Sequence, residues 1–85
     1  MINSQGVKQM SDNINSILSE VEIESHESLK YDGYSQTIIF SSEVDVPPTE
    51  LMEIINEVRE ILNERLHINC NIMLRGPSMF ELKFK

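Results

Sequence analysis

The sequence has one cysteine, three glycines and no tryptophan among its 85 residues, and its longest apolar runs, such as Ile38-Ile39-Phe40 and Ile72-Met73-Leu74, are three residues. Each shortage excludes something. A lone Cys70 cannot close an internal disulfide, which argues against a small secreted scaffold and for a reducing, cytoplasmic setting. Runs this short cannot supply the roughly 20 apolar residues of a membrane-spanning helix. The first ten residues, MINSQGVKQM, carry neither the basic nor the apolar stretch of a secretory leader, so none is expected. So few glycines leave no phosphate-cradling loop, and there is no HExxH and no nucleophile elbow. The reading is therefore of a protein that is not an enzyme, with no catalytic residues, no cofactor and no metal.

Basic residues are also scarce. Seven lysines and arginines face fourteen aspartates and glutamates, for a net charge of −7. The imbalance is local. From Glu20 to Glu64 there are twelve acidic residues against Lys30 and Arg59, whereas from Arg65 onward four basic residues oppose only Glu81. A field of this sign repels nucleic acid and attracts basic surfaces.

What is present reads as one small domain over residues 1–85, with residues 1–4 disordered. Val7, Met10, Ile14, Ile17, Leu18 and Val21 recur at three and four, which predicts an amphipathic helix over about 5–19. Val21 and Ile23 then alternate with Glu20, Glu22 and Glu24, which starts a strand near 23–31. Asp32-Gly33 predicts a two-residue hairpin loop to a second strand near 34–42, with Tyr31 opposite Tyr34 and Leu29 opposite Gln36. Ile38 and Phe40 share that face and look into the core.

Pro48 suits the first position of a second helix, over about 48–65. Glu50 falls in its first turn, and Val46 and Leu51 stand at the spacing of a hydrophobic staple. Its apolar stripe is Leu51, Ile54, Ile55, Val58, Ile61 and Leu62. HINCNIML, from His67, alternates as a strand, Gly76-Pro77 turns the chain, and Phe80, Leu82 and Phe84 alternate with Glu81, Lys83 and Lys85. The fold class is α+β, in the order α-β-β-α-β-β. The expected form is one mostly antiparallel four-stranded sheet with both helices on one face, in the connectivity of a permuted ferredoxin-like sandwich. Ile54, Val58, Ile61, Ile72, Leu82 and Phe84 are expected to be buried together.

His67 and Cys70 are the one pair of residue types that suggests a metal or a nucleophile. On a strand, residues an odd number apart point to opposite faces, so they do not converge. Cys70 is read as a small core residue. His26 and His67 are placed together on the polar sheet face, where they offer a ligand-binding alternative; the bland reading is a wet face. Nucleic-acid binding by the sheet lacks exposed stacking aromatics.

The candidate site is a stripe of five glutamates on the second helix: Glu50, Glu53, Glu57, Glu60 and Glu64. They fall within about 80° of arc along roughly 21 Å. Repulsion between like charges at i,i+4 costs a few tenths of a kcal/mol per pair. The stripe is either a solvated face, with Arg65, Lys83 or Lys85 as local neutralisers, or a docking surface for a basic site on a larger protein. Size and charge are those of inhibitors and immunity proteins, some of them phage-encoded. An assembly subunit that forms a homodimer through its sheet is the alternative. No membrane association is expected.

Overall fold

The computed structural model describes residues 4–85, with side chains from Gln9 onward. Its elements are α1 (Ser4–Leu18), β1 (Glu27–Asp32), β2 (Thr37–Ser42), α2 (Pro48–Leu66), β3 (Cys70–Gly76) and β4 (Met79–Phe84). Ser4 opens α1, so of the residues expected to be disordered only 1–3 lie outside the described residues; Val7 of the expected apolar face lies outside the described side chains. No helix among the described residues is long and apolar enough to cross a membrane.

The four strands form one antiparallel sheet in the order β1-β2-β4-β3. Taken with β4 first, the connectivity becomes β-α-β-β-α-β, the permuted ferredoxin-like arrangement. The register places Leu29, Tyr31, Ile38, Phe40, Phe80, Leu82, Phe84 and Cys70 on one face. Ile14 and Leu18 of α1 and Leu51, Ile55, Val58 and Leu62 of α2 join that face in a single core. Its centre is the cross-strand pair Phe40 and Phe80, whose rings stack at 4.9 Å. Met10, on the expected face of α1, is exposed.

The α2 start is as the residues dictate. Pro48 is the first helical residue, Val46 and Leu51 are both buried, and the Leu51 N–H donates to the Pro47 carbonyl at 3.0 Å. A proline there loses no helical hydrogen bond, because that N–H has no partner in any helix.

Three expectations need correction. First, the β1–β2 loop is four residues, not two: Asp32 pairs with Thr37, Tyr31 with Ile38 and Leu29 with Phe40. The Asp32 carboxylate accepts from the Tyr34 N–H at 3.1 Å and the Ser35 hydroxyl at 2.8 Å, and Gln36 takes the positive φ of 52°. Asp32 thus builds the turn with its side chain instead of entering a type I′ loop. The slip is an even number of residues, so the apolar face is unchanged.

Second, β1 begins at Glu27 and β3 at Cys70, later than alternation suggests. Residues 21–24 have no strand beside them. His67 ends α2 in a left-handed conformation, φ 54°, its N–H donating to the Asn63 carbonyl at 3.0 Å.

Third, the expected core is only partly formed. Val58 and Leu82 are buried, while Ile54, Ile61 and Phe84 are half-buried. Ile72 lies opposite Leu82 on the core face yet is 37% exposed, because β3 is an edge strand whose helix-side surface is not covered.

Candidate functional site: an acidic groove

The chain between α1 and β1 runs back along α2. At one end the Arg65 guanidinium, in the last turn of α2, donates to the Glu20 carboxylate at 2.7 Å. At the other, Glu27 enters β1 near the α2 N-terminus, and its carboxylate accepts from the Glu24 N–H at 2.7 Å. Between connection and helix lies an open groove of about 740 Å³. Glu22, Glu24 and Glu27 line it from the connection, Glu50, Glu53 and Glu57 from α2, and Val21, Ile23 and Ile54 contribute its apolar surface. No basic residue lines it.

The five-glutamate stripe is therefore divided. All five side chains are exposed, but Glu60 and Glu64 lie beyond the groove. Of the local cations weighed as neutralisers, Arg65 is engaged with Glu20, and no ion pair among the described residues reaches any stripe glutamate. The second wall was not identified from sequence. Its signal was present in the alternation of Glu20, Glu22 and Glu24 around Val21 and Ile23, which reads as a strand but serves as a lining.

The groove carboxylates with Glu60 and Glu64 make eight along roughly 21 Å, where duplex DNA would present about twelve phosphates. Their density falls short of nucleic-acid mimicry, and the apolar floor has no counterpart in a phosphate backbone. Comparison with protein-family models, curated proteins and solved structures finds no match to this chain.

The other candidates separate. Cys70 is buried at the start of β3, and burial pushes its thiol pKa up despite the opposing influence of Arg59 and Lys85. His67 is an exposed helix cap. The polar sheet face does not bring the two histidines together as expected: neither lies in a strand, and His26 precedes β1 while His67 precedes β3, the strands at opposite edges. Three strand spacings, about 14 Å, separate those edges. Among the described residues no group of three or more potential metal ligands converges, and no buried side-chain nitrogen or oxygen lacks a hydrogen-bond partner. The sheet face away from the helices carries Ser28, Lys30, Thr37, Ile39, Ser41, Asn71, Met73, Met79, Glu81 and Lys83, without an aromatic ring on which a base would stack.

Proposed function

We propose that this chain is a small, cytoplasmic, non-enzymatic interaction protein that binds stoichiometrically to a basic segment of a larger protein through the acidic groove. The observation that carries this reading is the pair of carboxylate walls, from Glu22, Glu24 and Glu27 and from Glu50, Glu53 and Glu57, around an apolar floor with no lining cation. Opposed like charges are an unfavourable arrangement in the free protein. A lysine- or arginine-bearing segment entering the groove relieves that repulsion and covers Val21, Ile23 and Ile54. The attraction acts at a distance and speeds encounter, while the floor discriminates among basic segments. The cytoplasmic assignment is supported by the single free cysteine.

The test is an affinity capture from the native host, eluted with rising salt, followed by binding kinetics with each captured protein. The triple substitution Glu24→Gln, Glu53→Gln and Glu57→Gln neutralises both walls at exposed positions, so the fold should persist. Its association rate should fall by about tenfold or more at low ionic strength, with the difference shrinking as salt rises. Glu60→Gln with Glu64→Gln, outside the groove, should have a smaller effect. Full affinity of the folded triple variant at low salt would discard the groove as the binding site.

A further inference from the structure

The two outer strands of the sheet are finished differently. The Glu43 N–H bonds the His26 carbonyl, so alternation along β1 turns the backbone groups of Glu27, Leu29 and Tyr31 outward. That edge is protected: the Asn15 side chain of α1 accepts the Tyr31 N–H at 3.1 Å, and Glu27, Lys30 and Asp32 place charge along the strand. On the opposite edge the Lys85 N–H bonds the Asn69 carbonyl, so Asn71 and Met73 face β4, and the backbone groups of Cys70, Ile72 and Leu74 point outward. Among the described residues nothing pairs with them. Ile72, Met73 and Leu74 are all exposed, Leu74 by 64%. The only charge on β3 is Arg75, already bonded to Glu81 at 3.0 Å.

We propose that β3 is a self-association edge, on which β3 of a second copy pairs antiparallel about a two-fold axis, so that one sheet continues through both copies. The argument for a second copy is complementarity. The outward groups lie symmetrically about Ile72, so a two-fold axis there matches every one of them with an equivalent group: Ile72 opposite Ile72, and Cys70 opposite Leu74. Asn71 then lies opposite Met73, and Arg75 opposite Asn69. No charge meets a like charge, although each copy carries a net −7. An edge whose single charge is already paired within its own sheet, and which has no proline or cover, is the kind that recruits another strand, and an isologous contact closes after two copies instead of growing into a fibre. No β3 residue lines the acidic groove, so both grooves stay open in the pair.

The experiment is sedimentation of the purified chain across a concentration series, for the wild type and two variants. The wild type should approach twice the 9.8 kDa chain mass as concentration rises. Leu74→Lys places a charge at an exposed edge position and should hold the protein at the single-chain mass. Ile72→Pro removes an outward N–H that β4 does not use, and should do the same through the backbone. Circular dichroism confirms that each variant is folded; Leu74→Lys, altering only an exposed side chain, decides the matter if the proline variant unfolds. A wild type that stays at the single-chain mass to its solubility limit overturns the proposal, as does a dimer that folded Leu74→Lys leaves intact.

Discussion

The two halves of the chain have the same plan, a helix followed by a hairpin, yet they end differently. In the first half α1 reaches its own hairpin's outer strand, and Asn15 satisfies an edge N–H of β1. In the second half no side chain of α2 does the same for β3, and the core face of β3 opens to solvent beyond Cys70. Where the helix is tied to the outer strand, the edge is closed and charged. Where it is not, apolar residues and unpaired backbone remain outside. The same element order therefore yields one edge suited to water and one suited to another strand.

The largest break in this comparison should come from Val58→Asp. Val58 is fully buried on α2, and a carboxylate there has no partner. An uncompensated buried charge costs about 3–5 kcal/mol. A chain of this length has a total stability on the order of 4–13 kcal/mol, so the loss runs from about a quarter of it to all of it. The expected result is loss of the cooperative thermal transition; a melt unchanged within a few degrees would show that α2 does not hold the halves together.

A smaller effect is expected from Asn15→Ala, which removes the cap on Tyr31 and leaves the core untouched. The cost should be about 0.5–1.5 kcal/mol in a denaturant melt. The change makes β1 resemble β3, and amide exchange at Tyr31 should accelerate while exchange in β4 does not. Unchanged exchange at Tyr31 would mean the cap contributes nothing to closing the edge.

The smallest effect is expected in alkali, and it too separates the halves. Burial raises the pKa of Cys70 above its ordinary 9.0, and burial with the nearby Asp32 raises that of Tyr31 above its ordinary 10.0. A raised pKa means the folded state keeps a proton that the unfolded chain has released, so the stability from each group is full below the ordinary value and is lost as pH rises through the raised one. Denaturant midpoints should hold to about pH 9 and then decline. In Cys70→Ala the first part of the decline should vanish, leaving the part owed to Tyr31. An identical profile in Cys70→Ala would remove the thiol from the account.

Local rules carried much of this fold. The three-and-four periodicity of Ile14, Leu18, Leu51, Ile55, Val58 and Leu62, with Val46 before α2 and Pro48 opening it, was enough to place both helices within a residue or two. The alternation of Phe80, Leu82 and Phe84 identified β4 and its buried face, since a strand's side chains have no other way to divide. Even the misjudged hairpin loop kept the right face, because an even slip preserves parity.

Three things were left to the tertiary structure. Strand order depends on which hairpins dock where, and that choice put His26 and His67 at opposite edges. The difference between the edges depends on α1 reaching β1, a contact between residues far apart in the chain. The acidic groove required Glu22, Glu24 and Glu27 to be laid beside Glu50, Glu53 and Glu57. Periodicity along one segment reports which residues share a face of that segment; only folding, by bringing two segments side by side, decides which faces make one surface.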